Sequence, residues 1–118
     1  MQSAANLRVT ERARALASEV YRATGAFPAT ERFGLTAQMR RCVISVGSNI
    51  AEGCGRHGDR ELVRFLHIAL GSASELEYQA LVATDLGFMP PDAAQSLLAR
   101  IVEVKRMLAR LIKALRGN

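Results

Sequence analysis

Tryptophan is absent, and Phe and Tyr together supply only 5% of the 118 residues. The core must therefore be aliphatic, built from Leu, Ile, Val, Ala and Met. Proline is limited to three residues, and no run of alternating β-branched residues occurs. That argues against strands and for helices throughout. No apolar run approaches the roughly 18 residues a membrane span needs. The opening MQSAANLRVTERARAL lacks the apolar core of a signal peptide. A cytoplasmic protein with no membrane partner is the expectation. Cysteine is confined to Cys42 and Cys54. On one helix they lie ~18 Å apart, too far for a disulfide, so both read as small buried hydrophobes.

Hydrophobic residues make up 49% and charged residues 23%, the composition of one folded domain over residues 1–118 rather than a disordered chain. Net charge is +5, which suits an acidic partner. The charge is unevenly spread: +2 over residues 1–30, +2 over 31–60, −3 over 61–89 and +4 over 90–118. Such a pattern fits nucleic-acid binding, and equally fits segments of like chains pairing across a self-association surface.

The chain is organised around residues 34–58. A helix from about Thr36 to Cys54 puts Met39, Val43, Val46 and Ile50 on one face and Gln38, Arg41, Ser45, Asn49 and Glu52 on another. Gly47, Ser48 and Ala51 are small enough to admit a neighbouring helix. A helix with one greasy and one hydrogen-bonding face sits at the centre of a bundle. A first helix is expected from about Leu7 to Ala23, with Leu7, Val9, Ala13, Leu16, Ala17, Val20 and Tyr21 inward and Gly25 as its left-handed stop. Phe27, Phe33 and Leu35 lie in the connection and should pack onto the bundle end. A third helix runs from an Asp59 cap to about Leu86, with Leu62 through Leu81 as its apolar face and Gly71, Ser72, Glu75 and Gln79 as a second polar stripe. Gly87 and Pro90-Pro91 break the chain. A fourth helix capped by Asp92 carries a seam of Leu97, Ile101, Val104, Leu108, Leu111 and Leu115. Thr36 is the expected cap of the second helix. Four helices with short connections give an all-α, antiparallel up-down-up-down four-helix bundle.

Gly53, Gly55 and Gly58 spell G-x-G-x-x-G, but a helix precedes them, so the dinucleotide reading fails. Arg56, His57 and Arg60 beside these glycines could hold a phosphate. Cys54 and His57 are too few for a metal site, and no E-x-x-H pairs suggest a di-metal centre. Neither cofactor nor metal is expected. Glu52 and Glu75 are expected to satisfy Arg41, Gln38 or Asn49 across the bundle. No nucleophile, base and orienter converge, so an enzyme is not expected; a site at Arg41, Asn49, Glu52 and Glu75 is the weakest alternative. Phosphate contact by Arg and Lys needs no motif. Its candidates are Arg40, Arg56, Arg60, Arg100, Lys105, Arg106, Arg110 and Lys113. Scarce aromatics disfavour stacking on single strands, leaving structured RNA or DNA. A protein-interaction scaffold with no nucleic-acid role is the second reading.

Several segments together resemble the 23S rRNA intervening-sequence protein family. They are Phe27-Pro28, Glu31-Arg32-Phe33-Gly34-Leu35-Thr36, Gln38-Met39-Arg40-Arg41, Ser45, Asn49-Ile50-Ala51-Glu52-Gly53, Ala69-Leu70-Gly71-Ser72 and Glu75-Leu76-Glu77. Cys42 and Val46-Gly47 stand where the family more often has Ala and Ile-Pro. The resemblance implies a four-helix bundle assembled with copies of itself into a ring, with five subunits the expected number. Some members are encoded within insertions in large-subunit ribosomal RNA genes. A related branch comprises accessory proteins of diversity-generating retroelements, which bind nucleic acid and a reverse transcriptase. It thus implies self, nucleic acid and a reverse transcriptase or other protein as partners. Gln38, Arg41, Ser45, Asn49, Glu52, Ser72 and Glu75 would then form polar networks within and between subunits.

Overall fold

The computed structural model describes residues 3–117. Four helices follow in order: α1 (Ala4–Gly25), α2 (Leu35–Cys54), α3 (Asp59–Asp85) and α4 (Pro91–Leu115), with one 3₁₀ turn (Ala29–Glu31) before α2. No strand occurs among the described residues. Each helix packs on its sequence neighbour, and α1 closes the ring against α4. Short connections make successive helices antiparallel, so the fold is an up-down-up-down four-helix bundle. The bundle is elongated, 44 × 24 × 18 Å, as expected for a 27-residue α3 rising ~1.5 Å per residue.

One aliphatic cluster fills the interior. Val9, Leu16 and Val20 of α1 meet Met39, Val43, Val46 and Ile50 of α2. Leu66, Ala69, Ala73, Leu76 and Ala80 of α3 and Leu97, Ile101, Val104 and Leu108 of α4 complete it. Alanine predominates at the α3 contacts, which brings that helix close to its neighbours. The α4 seam then shifts by one residue: Ile112 is buried, and Leu111 and Leu115 are half-buried. A straight helix drifts from a strict heptad over three turns, so the next residue takes the inward position. Leu7, Tyr21 and Leu81, expected inside, are 52%, 43% and 46% exposed. Each lies at the edge of its helix's apolar stripe.

The helix ends differ from the expected caps. Helix α1 begins at Ala4, where the Ser3 hydroxyl accepts from the Asn6 N–H (3.1 Å). Gly25 ends α1 within the helix and does not adopt positive φ. Before α2 the Glu31 carboxylate reaches forward and accepts from the Leu35 N–H (3.1 Å), which displaces Thr36 as the cap; Thr36 is buried in the first turn. Gly58, at φ 86, precedes α3, so Asp59 lies in the first turn instead of capping it. Pro90 and Pro91 open α4 and likewise place Asp92 inside it. Both acids still favour the positive helix end. The stop after α3 is a Schellman motif. Gly87 is left-handed (φ 74), its N–H bonds to Thr84 O, and the Phe88 N–H bonds to Ala83 O (both 3.0 Å). Phe88 then meets Phe27, ring centroids 5.4 Å apart, and the pair closes this end of the bundle. Phe33 does not join them and is 84% exposed, with the Arg32 guanidinium 4.8 Å from its ring centroid.

Candidate nucleic-acid interface

An up-down topology decides which residues share an end of the molecule. The start of α1, the end of α2, the start of α3 and the end of α4 all lie at one pole. Dividing each helix near its midpoint assigns residues 3–14, 46–72 and 104–117 to this pole. It holds eleven Arg and Lys against four Asp and Glu, a net +7. The opposite half, residues 15–45 and 73–103, holds five against seven, a net −2. The two halves sum to the chain's +5. Folding therefore converts four mixed segments into one strongly cationic end.

The eight candidate cations divide sharply by environment. Arg40 is half-buried and holds α2 to the end of α1. Its Nε donates to Thr24 Oγ1 (2.9 Å), a second nitrogen donates to Tyr21 O (3.3 Å), and its guanidinium lies 4.5 Å from the Tyr21 ring centroid. Arg100 pairs with Glu19 (2.7 Å) across α1 and α4, and Lys105 with Glu77 (2.7 Å) across α3 and α4. Arg56 is held by Glu52 (3.0 Å) over the Phe65 ring. Arg60, Arg106, Arg110 and Lys113 are exposed and make no ion pair among the described residues. The same is true of Arg8, Arg14 and Arg116 at the same pole, which sequence reasoning passed over. Their signal was the topology: an antiparallel α1 and α4 put Arg8 beside the end of α4. Arg64 also lies here. Its hydrogen bond to Glu61 (3.1 Å) holds that carboxyl below its ordinary range and raises the guanidinium.

The polar stripes of α2 and α3 meet in an open groove of about 400 Å³, lined by Gln38, Arg41, Cys42, Ser45, Ser72, Glu75 and Gln79. The Ser45 and Ser72 hydroxyls are 2.8 Å apart and cross-link the helices. Asn49 Nδ2 donates to Ser45 O (2.8 Å) and Ser45 Oγ (3.1 Å). Glu52 does not reach Arg41, Gln38 or Asn49 as expected, because its carboxylate is taken by Arg56 one turn on. Glu75 and Arg41 line the groove without an ion pair among the described residues. Gln79 is 5% exposed, and its Oε1 is buried with no hydrogen-bond partner. Burial raises the neighbouring Cys42 thiol, against the Gln79 amide that lowers it and with the Glu75 carboxylate that raises it further. No group of three or more His, Cys, Asp or Glu suited to a metal ion occurs among the described residues. None of their helices is long and apolar enough to cross a membrane.

Fold and surface together define a small four-helix bundle with one cationic pole and one polar interhelical groove. Residues 5–110 match the model of the 23S rRNA-intervening sequence protein family, and the chain belongs to that family. The fold is shared with a solved protein of unknown function from the S23 ribosomal protein family of Bacteroides thetaiotaomicron VPI-5482. The TM-score is 0.85 at 21% identity, over 92% of this chain and 98% of that one. A search among curated proteins returns no match.

Proposed function

We propose that the protein is a non-enzymatic, homo-oligomeric bundle that binds structured RNA or DNA by phosphate contacts at its cationic pole. The observation that carries this reading is the +7 pole and its seven exposed Arg and Lys that make no ion pair among the described residues. Among the described residues of the pole the one Phe, Phe65, is buried and Tyr and Trp do not occur, which favours duplex backbone over stacked single strands. Self-association is supported by the α2–α3 face, where Ile44, Ile68 and Tyr78 are 48%, 42% and 68% exposed. Ile68, Glu75 and Tyr78 share one helical stripe beside the groove. A closed ring, five subunits by family resemblance, would turn every cationic pole the same way, because cyclic symmetry makes the poles equivalent. Weak contacts at each pole would then add by avidity.

The test is binding of nuclease-treated protein to a short RNA duplex across a salt series, with sedimentation to count subunits. The expected outcome is a steep linear fall of log affinity with log salt, about 0.9 per phosphate engaged. Charge reversal at Arg106 and Arg110 should flatten that slope. Absence of binding at low salt would refute the reading. The exposed apolar residues of α2 and α3 would then favour a protein-interaction scaffold, recognised by a partner that survives nuclease treatment.

A further inference from the structure

Within the cationic pole one feature is more specific than net charge. Arg8 of α1 and Arg110 of α4 border the same shallow hollow, about 250 Å³, with Ala5, Val9, Met107 and Ala114 among its lining. Two cationic side chains that border one hollow disfavour each other unless something anionic lies between them. Among the described residues no carboxylate lines the hollow. The first turn of α1 contains no acidic residue, and residues 104–117 contain none. Glu103, the last carboxylate of α4, is engaged by Arg12 (3.4 Å). The remainder of the lining is small or apolar, so the hollow offers donors only through its two arginines.

We propose that this α1–α4 seam is a phosphate site at which Arg8 and Arg110 together grip one backbone phosphate of a bound duplex. The assignment rests on the nucleic-acid reading above and names its anchor point. Guanidinium groups suit the task because each presents a planar fork of donors to phosphate oxygens. Arg106, Arg110 and Lys113 follow at steps of four and three, one stripe of α4. That stripe is ~10 Å long and spans roughly three nucleotides at 3.4 Å per strand residue. Arg106 and Lys113 thus flank the gripped phosphate along the same strand. The phosphate also ties the beginning of the chain to its last helix.

The experiment uses the full chain and a fluorescent RNA duplex, with Arg8→Ala, Arg110→Ala, the double variant and Arg22→Ala, an exposed cation at the opposite pole. All three positions are exposed, and circular dichroism verifies that each variant folds. Each pole variant is expected to weaken binding about tenfold, the scale of one charged hydrogen-bonding contact. The double variant should lose little more than either single one, because both side chains serve one phosphate. The salt slope should fall by about 0.9, one phosphate's share. Arg22→Ala should bind as the parent does. Losses that multiply in the double variant, or variants that bind like the parent, would overturn the shared grip while leaving the broader reading standing. A parent protein that binds no duplex would overturn both. Thermal stabilisation by millimolar inorganic phosphate without duplex binding would assign the hollow to free anions and overturn it as well.

Discussion

Gly53 closes the N-I-A-E-G segment near the end of α2, where the start of α3 lies close against it. A Cβ built there would lie 2.9 Å from Phe65 Cβ, 3.0 Å from Leu62 Cδ1 and 3.3 Å from the Leu62 carbonyl oxygen. The Leu62 tip could swing aside, but Phe65 Cβ and a carbonyl are fixed to the α3 backbone. The two helices must therefore separate by several tenths of an ångström. Overpacking of this kind costs about 1–3 kcal/mol. Alanine recovers at most about 1 kcal/mol of helix propensity, and less so near a helix end. The Gly53→Ala variant should therefore be less stable by about 1–2 kcal/mol. For 118 residues the unfolding entropy is roughly 250 cal/mol/K, so Tm should drop by about 4–8 °C. Gly47 supplies the control. Its Cβ would meet only Ala13 Cβ, at an ordinary 3.9 Å, so Gly47→Ala should raise stability by about 0.5–1 kcal/mol. Urea and thermal unfolding at one protein concentration would measure both, because an oligomer's Tm depends on concentration. A Gly53→Ala variant as stable as the parent would refute the close-approach argument.

Other perturbations test other parts of the fold. Replacing Gln79 by Leu removes a buried, unpartnered Oε1 and should leave the isolated bundle equally or more stable, by up to ~1 kcal/mol; a clear loss in urea unfolding would show that the amide is satisfied. Arg40→Met should destabilise by about 1–2 kcal/mol, since it removes the bonds to Thr24 and Tyr21 that join α2 to α1; an unchanged urea midpoint would contradict that role. Burial raises the Cys42 thiol above its ordinary 9.0. The native state thus favours the neutral thiol, whose contribution is intact below pH 9 and is lost as pH rises toward the higher native value. Stability should consequently fall more steeply above pH 9 in the parent than in Cys42→Ala, and equal slopes would count against it. In the same protein a thiol reagent should modify half-buried Cys54 before buried Cys42, read by mass spectrometry of the labelled peptides.

Much of this architecture is written along the chain. The 3.6-residue recurrence of apolar side chains, with few aromatics or prolines to interrupt it, dictates four helices and names most of their inward residues. Met39, Val43, Val46 and Ile50 line the core because no other arrangement buries them together. Helix ends are less legible, since several donors compete for each one. Glu31 outreaches Thr36, and the backbone freedom of Gly58 displaces Asp59. Phe33 is apolar in sequence yet exposed, because the turn before α2 points it away from the bundle end that Phe27 and Phe88 close. Which cations are free could not be read from spacing at all. Arg40, Arg100 and Lys105 resemble Arg106 and Arg110 in sequence, but their partners come from other helices. The cationic pole is likewise a property of tertiary structure. Linear segments of the chain carry +2, +2, −3 and +4. Only antiparallel packing brings the start of α1, the α2–α3 turn and the end of α4 to one end, because charge adds over distance in space, not along the chain.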